Sequence, residues 1–258
     1  MERNCLGVVA AMPQEIDPLL QRVRGVRRER FAGFNLCRFA LGGHPVALVE
    51  SGMGPAHAAA ATRTLIGAAS PALIMNFGFA GAVLPGLRVG ELVLAERVCR
   101  LERGGLSEAA RPDAALNRLI AVACRGAGFT FRQGSFITAC GIVNKAELAT
   151  SLGAAFNLPV LEMETAAVLA AAGEAGIPAV ALRGISDAAE EELGFGIEEL
   201  CDGELNLSPW RLFAVLVKKP YLVPQLIRLA ANSRKAGGNL ALGVELALKA
   251  MAEKLQLP

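Results

Sequence analysis

The chain has 258 residues, of which 53% are hydrophobic and 19% charged. That length and composition suffice to bury a core without disulfides or a metal ion, and they exclude intrinsic disorder. A net charge of +2 and an aromatic content of 5% exclude a broad nucleic-acid-binding surface. The six cysteines are scattered and only two histidines occur, so we predict reduced thiols, no metal site and a cytoplasmic protein.

Short apolar runs alternate with helical patterns through most of the chain. Continuous apolar runs are typical of strands that are covered on both faces, and their alternation with helices predicts a single α/β domain. The predicted strands are 5–11, 35–41, 45–51, 72–78, 91–98, 134–139, 158–162 and 178–185. The predicted helices are 14–24, 55–69, 113–127, 144–155 and 163–175.

The first apolar run, residues 5–12, ends at Pro13 without the small-residue cleavage site of a signal peptide. A buried strand is the better interpretation. No apolar run approaches the ~18 residues that a membrane span needs. We therefore expect no transmembrane segment.

Charge is distributed unevenly towards the end of the chain. Residues 187–204 are acidic and glycine-containing, which predicts a loop or a lid. Residues 209–258 carry eight Lys and Arg against two Glu. We expect a catalytic domain over 1–208 and a basic amphipathic helical extension over 209–258, packed on that domain. Within it, 209–235 could contact a membrane surface peripherally; packing on the sheet or a subunit contact is the alternative.

Several kinds of chemistry are excluded by what the glycine-rich segments lack. Gly52 and Gly54 are not followed by a third glycine and a spaced acidic residue, so a dinucleotide site is not predicted. There is no Gly-Lys-Ser/Thr sequence, which excludes a P-loop. The Gly184-Ile185-Ser186-Asp187 segment resembles a nucleophile elbow, but both histidines precede it, which disfavours a serine hydrolase.

Carboxylates remain as the candidate catalytic groups. Glu15 follows the first strand, Glu162 and Glu164 lie at a strand-to-helix junction, and Asp187 ends another strand. Each has a structural alternative: a first-turn helix acid for Glu15, a cap or an ion pair with Arg183 for Glu162, and an N-cap for Asp187. Because all of them follow strands, they could converge on one pocket, which predicts a site that cleaves a glycosidic bond.

Four segments in the same order resemble the purine nucleoside phosphorylase/methylthioadenosine nucleosidase superfamily. They are GVVAAMPQEIDPL, VALVESGMGPAHAAAA, NFGFAGAVLPGLRVGELVLAE and VLEMETAAVLAAAGEAGIPAVALRGISDAA. The resemblance covers about seven tenths of the chain. It implies a nucleoside phosphorylase-like fold with a mixed central sheet, a homo-oligomer, and cleavage of a purine N-ribosidic bond without a cofactor.

The resemblance also implies roles for individual residues. Asp187 matches the acid that protonates N7 of the leaving purine. Glu164 matches the residue that binds the ribose hydroxyls, and Met163 the one packed against the sugar. Glu15 matches the glutamate that positions the attacking water in hydrolytic members. General acid assistance and a carboxylate near an oxocarbenium-like transition state suit this chemistry.

Base contacts and departures from the family pattern concern five further positions. Gly81 matches a glycine of the base pocket, and Val143 the segment whose main chain reads the base edge. Asn76 and Phe79 replace an Arg and a Ser that hold phosphate in the hexameric phosphorylases, which favours water as the nucleophile. Phe79 also replaces a hydroxyl that orients the catalytic Asp in the nucleosidases. Ile142 replaces a base-stacking Phe, and His57 has no assigned role.

The basic tail is similar to the C-terminus of the hopanoid-associated nucleoside phosphorylase-like proteins. For that subgroup the implied reaction is release of adenine from adenosylhopane in hopanoid biosynthesis, at or near the inner membrane. A lipid-linked nucleoside suits an apolar and basic rim. The alternatives are a purine nucleoside phosphorylase, a methylthioadenosine/S-adenosylhomocysteine nucleosidase, and a non-catalytic module that binds a nucleoside or a lipid.

Overall fold

The computed structural model describes residues 5–128, 131–141, 143–153, 155–191 and 223–256. Most of the acidic segment predicted as a lid, the domain boundary predicted at 208, and the first part of the basic tail therefore lie outside the described residues. Ile142 does as well.

The described residues form one mixed sheet with helices on both faces, as the sequence predicted. The strands are β1 (Leu6–Ala10), β2 (Arg27–Phe31), β3 (Phe34–Leu41), β4 (His44–Glu50), β5 (Leu73–Ala82), β6 (Leu92–Glu102), β7 (Gly105–Glu108), β8 (Arg132–Ala139), β9 (Val160–Glu162) and β10 (Ala179–Asp187). The helices are α1 (Pro13–Leu20), α2 (Pro55–Ala69), α3 (Ala114–Gly126), α4 (Lys145–Ser151), α5 (Thr165–Glu174) and α6 (Val223–Gln256).

The sheet combines an open row of strands with a closed ring. The strand order is β10-β6-β8-β9-β5-β1-β4-β3-β2, with β7 on β6, and β10 pairs with β5 as well as with β6. Strands β5, β10, β6, β8 and β9 therefore close on themselves. Strand β5 runs parallel to both β1 and β10, so the carboxyl ends of these three strands meet at one edge.

The core lies on both faces of the sheet because its central strands are buried and mostly apolar. Every residue of β1 is buried, as is every residue of β10 except the last. On one face, α1, α3 and α6 pack over side chains such as Met75 and Leu182; on the other, α2 and α5 pack over side chains such as Ile74 and Ala181. Alternate residues of β5 thus point to opposite faces, as the pleat of a strand requires.

Two glycine-containing segments lie inside strands. Residues 76–81 belong to β5 and residues 183–187 to β10. The glycines are there because other groups approach the strands closely. A Cβ atom on Gly78 would lie 2.6 Å from Glu15 Oε1, and one on Gly184 would lie 3.3 Å from the carbonyl oxygen of Ala236 in α6.

Strands β2 and β7 were not predicted. Strand β2 has the sequence RRERF and every residue in it is exposed, so it lacks the apolar alternation that identifies a strand. It is held by its pairing with β3 across a two-residue turn at Ala32 and Gly33, both with positive φ.

Helix α6 is a single helix of 34 residues, about 51 Å long at 1.5 Å per residue. The helical extension predicted for the tail is confirmed over these residues, and its part before residue 223 lies outside the described residues. From Ala236 onwards one side of α6 is buried in the core, where it contacts α1, α3 and β10. Residues 227–235 are mostly exposed. None of the helices in the described ranges is both long and apolar enough to cross a bilayer.

Candidate active site

The predicted acids gather where β1, β5, β9 and β10 end. Glu15 lies in the first turn of α1, directly after β1. Glu162 is the last residue of β9, Glu164 is the N-cap of α5, and Asp187 is the last residue of β10. The strand-to-helix junction that the sequence predicted around Met163 is therefore present.

Glu15 is buried and held by three backbone N–H groups. Its Oε2 accepts hydrogen bonds from the N–H groups of Ala11 at 2.9 Å and Met12 at 3.0 Å, and its Oε1 accepts one from Phe79 at 2.8 Å. Burial raises the pKa of Glu15, although nearby Arg183 and the three N–H groups act in the opposite direction. The first-turn alternative is thus also true of Glu15, but the bond to Phe79 ties it to β5.

Arg183 lies at the centre of a buried polar network and is 1% exposed. Its Nη2 donates to Glu162 Oε2 at 2.5 Å, to Asn76 Oδ1 at 2.8 Å and to Thr165 Oγ1 at 2.9 Å. Glu162 also accepts from Thr138 and from the backbone N–H of Glu164. Glu162 therefore both caps α5 and pairs with Arg183, the two structural alternatives considered for it.

Glu162 and Glu164 differ in charge state because Arg183 sits closer to Glu162. Burial alone would raise the pKa of Glu162, but Arg183 and the hydroxyls of Thr138 and Thr165 lower it overall. Glu164 Oε2 is 3.6 Å from Arg183 Nη2, and its Oε1 accepts from the N–H of Gly54 at 2.9 Å. Burial, with the negative charge of Glu162, raises the pKa of Glu164 to about 7.

Asp187 is held by groups on both of its oxygens. Ser186 Oγ donates to Oδ1 at 2.7 Å, and Lys145 Nζ donates to Oδ2 at 2.6 Å. Phe79 has no hydroxyl with which to orient Asp187. In this protein the hydroxyl that donates to Asp187 belongs to Ser186. Gly81 faces this carboxylate so closely that a Cβ atom would overlap Oδ2.

The strand register relates the acids to one another. Arg183 pairs with Gly78 and Asp187 with Gly81 across β10 and β5. Glu15 touches the strand at Gly78–Phe79, so it and Asp187 lie about 10 Å apart along β5, at about 3.3 Å per residue. Glu15 and Glu164 interact electrostatically and both are near Arg183. The acids thus share one edge of the sheet.

Other predicted residues are placed less closely. Met163 is half-buried in the turn between β9 and α5. Val143 is half-buried and packs against a small cluster that contains Val83 and Ile137. His57 is exposed on α2, with Nδ1 3.2 Å from the carbonyl oxygen of Met53. Phe79 packs towards α1 and α6, away from the Arg183 network.

Sequence reasoning missed Lys145 and did not anticipate that Asn76 and Thr165 belong to the Arg183 network. The network around Arg183 could have been predicted from the sequence, because a charged residue inside the apolar run of β10 must have buried polar partners. Lys145 had no comparable signal. It begins a short helix in a predicted helical segment, and nothing in the spacing connects it with Asp187.

Residues 6–205 match the sequence profile of the phosphorylase superfamily. The 5′-methylthioadenosine/S-adenosylhomocysteine nucleosidase of Geobacillus kaustophilus is 30% identical over 234 residues, in an alignment that covers 83% of this chain and 98% of that protein. The nucleosidase of the same name from Haemophilus influenzae is 28% identical over 75% of this chain and 90% of that protein.

Solved structures share the fold. A Helicobacter pylori 5′-methylthioadenosine/S-adenosylhomocysteine nucleosidase superposes with a TM-score of 0.75 at 17% identity, covering 96% of this chain and 99% of that one. The futalosine hydrolase of the same species superposes with a TM-score of 0.72 at 18% identity, covering 95% and 97%. At these identities the likeness concerns the fold alone.

This chain belongs to the phosphorylase superfamily, which confirms the resemblance read from its sequence. It is an enzyme of the class that breaks N-glycosidic bonds.

Proposed function

We propose that the chain is an N-ribosyl hydrolase that releases adenine from a 5′-modified adenosine. Two kinds of observation support this. Relatives at up to 30% identity over most of the chain are named as nucleosidases of such adenosines. The candidate site brings Glu15, Glu164 and Asp187 to one edge of the sheet.

Asp187 serves the leaving base in this proposal. As the bond between C1′ and N9 breaks, the purine takes the electron pair, and a proton at N7 stabilises it. Gly81 has no side chain, which allows the Asp187 carboxylate to lie directly against β5. The main chain at Val143 lies one residue from α4 and would read that edge.

Glu164 and Met163 bind the ribose in this proposal. A carboxylate accepts hydrogen bonds from two neighbouring hydroxyls, which suits the ribose 2′- and 3′-hydroxyls. It also stabilises the positive charge that develops on the ribosyl group. A pKa of about 7 means that Glu164 is close to even between its two forms near neutrality in the empty site.

Glu15 positions the nucleophile in this proposal, and the groups around Glu15 favour water over phosphate as that nucleophile. A carboxylate has about four acceptor positions, and backbone N–H groups fill three of those of Glu15. The fourth, on Oε1, can accept from one water. Residue 78 must be a glycine for Glu15 to approach β5 this closely, since a Cβ atom would lie 2.6 Å from Oε1 and 3.3 Å from Arg183 Nη1.

Asn76, the residue that replaces a phosphate-binding Arg of the phosphorylases, is neutral and buried. Its Nδ2 donates to the carbonyl oxygen of Val9 at 3.0 Å, and its Oδ1 accepts from Arg183 and from Thr165. It therefore lacks the positive charge with which an arginine holds a phosphate, and a phosphate dianion beside Glu15 and Glu164 would meet repulsion.

The test is the release of adenine with and without inorganic phosphate. We expect equal rates in both, with free 5′-modified ribose as the product. Phosphate-dependent rates with ribose 1-phosphate as the product would show a phosphorylase instead. Tight binding of the nucleoside with no base released would show a non-catalytic binding module.

Two substrates deserve direct comparison in that assay. The names of the relatives favour 5′-methylthioadenosine and S-adenosylhomocysteine. The similarity of the tail to the hopanoid-associated proteins favours adenosylhopane, which we propose as the physiological substrate. A kcat/KM for adenosylhopane in detergent that is at least about tenfold above that for 5′-methylthioadenosine would support the lipid-linked substrate; the reverse order would contradict it.

A further inference from the structure

Lys145 occupies a position that helix stability does not explain. It is the first residue of α4, where the positive end of the helix dipole disfavours a cation. Its side chain is only 10% exposed, and a buried ammonium group is unfavourable unless it is paired. The reason for a lysine here must therefore lie in what its side chain contacts.

Both contacts of the Lys145 ammonium belong to the end of β10. Nζ donates to Asp187 Oδ2 at 2.6 Å and to the carbonyl oxygen of Ala188 at 2.8 Å. An ammonium has three N–H groups, so one remains without a partner among the described residues. Lys145 thus joins the first turn of α4 to the acid proposed to act on the base.

The ion pair between Lys145 and Asp187 raises the question of which group supplies the proton for the leaving base. Ser186 Oγ donates to Oδ1 and Lys145 donates to Oδ2, so both oxygens of Asp187 act as acceptors and the group is ion-paired with Lys145. A carboxylate has no proton to give to N7 of a departing purine. The nearest proton on a charged donor is on Lys145.

We propose that Lys145 is a positioning residue for Asp187, and that it supplies through the contact between Nζ and Oδ2 the proton that Asp187 delivers to the leaving base. This inference rests on the proposed function. As the C1′–N9 bond breaks, N9 keeps the electron pair, N7 takes a proton from Asp187, and Asp187 takes one from Lys145, which becomes a neutral amine. Water adds its oxygen to C1′ and its proton passes to Glu15. Transfer of that proton through solvent back to Lys145 restores the resting charges.

A purely structural Lys145 would act differently on two kinds of substrate. Cleavage of an adenine nucleoside requires a proton on the base, whereas 4-nitrophenyl β-D-ribofuranoside releases a stable phenolate that requires none. Loss of the proton supply slows only the first. Loss of a structural tie would disturb Glu164 and Glu15 as well, and would slow both.

The experiment compares wild type and Lys145→Met, as full chains, on both kinds of substrate. The nucleoside is whichever of 5′-methylthioadenosine and adenosylhopane the wild type cleaves faster. We expect kcat for the nucleoside to fall about 100-fold with KM changed less than about threefold, and kcat/KM for the nitrophenyl riboside to fall less than about threefold. Lys145→Gln, which retains a donor without the charge, gives the same comparison if Lys145→Met does not fold.

Lys249→Met is the matched control, because Lys249 also pairs with a carboxylate, Glu245, at 2.8 Å, but on the exposed side of α6. It should leave both activities unchanged. Equal losses on the two substrates, or an unchanged rate on the nucleoside, would overturn the role of Lys145. A wild type that cleaves neither nucleoside would overturn the proposed function itself, so the two failures are distinguishable.

Discussion

Glu164 is a buried carboxylate in surroundings that disfavour its charge. Glu162 lies beside it, Glu15 is close enough to interact with it, and Arg183 is the one guanidinium that these described carboxylates share. Three acids around one cation give the empty site an excess of negative potential. A positively charged ribosyl group would relieve that excess, so the arrangement favours the transition state over the empty enzyme.

The raised pKa of Glu164 has a consequence for stability. The group binds a proton in the folded protein between its ordinary value of 4.5 and about 7, where the unfolded chain has released it. The stability that Glu164 contributes is therefore full at low pH and is lost as the pH rises through about 7. Since each pKa unit corresponds to about 1.4 kcal/mol, the rise from 4.5 to about 7 corresponds to a change on the order of 3 kcal/mol.

We expect Glu164→Gln to remove this pH dependence, because glutamine carries no charge at any pH. Its free energy of unfolding relative to wild type should increase by on the order of 2 kcal/mol between about pH 5 and about pH 8.5. Urea denaturation at the two pH values measures this. Glu174→Gln, an exposed control in a surface ion pair, should show the same difference from wild type at both. A relative stability of Glu164→Gln that does not change with pH would contradict the burial argument.

How far the sequence determines these residues depends on which contacts are local. Apolar runs in the sequence predict the strands, and the acids follow those strands. Glu15, Glu164 and Asp187 could therefore be placed at one edge of the sheet. The division of charge between Glu162 and Glu164 could not be predicted, because it depends on distances of 2.5 and 3.6 Å from Arg183. The pairing of Lys145 with Asp187 spans 42 residues and has no local pattern.

At the scale of elements, helix α6 packs on the sheet through small residues. A Cβ atom on Gly184 of β10 would approach Ala236 and Leu240 of α6 at 3.3 and 3.4 Å. On the helix side, a Cβ atom on Gly243 would overlap Leu92 and lie 2.9 Å from the ring of Phe131. Gly238, in contrast, has no atom within 4 Å of such a position. Glycines in helices lower stability unless packing requires them.

These two glycines of α6 should therefore respond oppositely to alanine. Gly238→Ala should raise the free energy of unfolding by about 0.5–1 kcal/mol through helix propensity. Gly243→Ala gains the same propensity but must displace Leu92 and Phe131, and should lie about 1–3 kcal/mol below Gly238→Ala. Thermal unfolding of both variants measures the difference. Equal stabilities would mean that α6 adjusts freely on the sheet.

Elements were predictable where burial is continuous and less so at the edges. The five predicted helices all occur, with ends displaced by a few residues, because their apolar faces cover the sheet. Strand β2 escaped prediction since its five residues are exposed and three are arginines. It exists because β3 offers an edge and the Ala32–Gly33 turn returns the chain to it.

At the scale of the whole molecule, α6 connects the core with an exposed basic end. Ile227 is 65% exposed, and Arg234 and Lys235 are exposed as well. Arg228 and Asn232 contact Glu191, which follows the active-site strand. We propose that residues 209–235, of which the structure describes 223–235, contact an anionic membrane surface while the core stays in water. The charge and the exposed apolar side chain support this.

We expect the full chain to float with vesicles that contain phosphatidylglycerol and to be released as ionic strength rises. Arg234→Glu should weaken this binding about 30-fold, since each basic residue near an anionic surface contributes about 1 kcal/mol and a charge reversal changes the binding energy by about twice that. Lys254→Glu, at the other end of α6, is the control and should leave vesicle binding unchanged. Absence of binding at low salt would return this end of the helix to a packing or subunit role.

Strand β5 belongs to both the closed ring and the open row of strands, and its pairing on both sides restricts changes in its register. A shift of β5 by one residue would break its pairing with β1, β9 and β10 together. Glu15 and Asp187 lie against that strand and Glu164 follows its partner β9, so a change in its register would displace all three acids together. If the proposed function holds, a change of substrate is therefore expected to require substitutions in loops and helix ends and not in the strands.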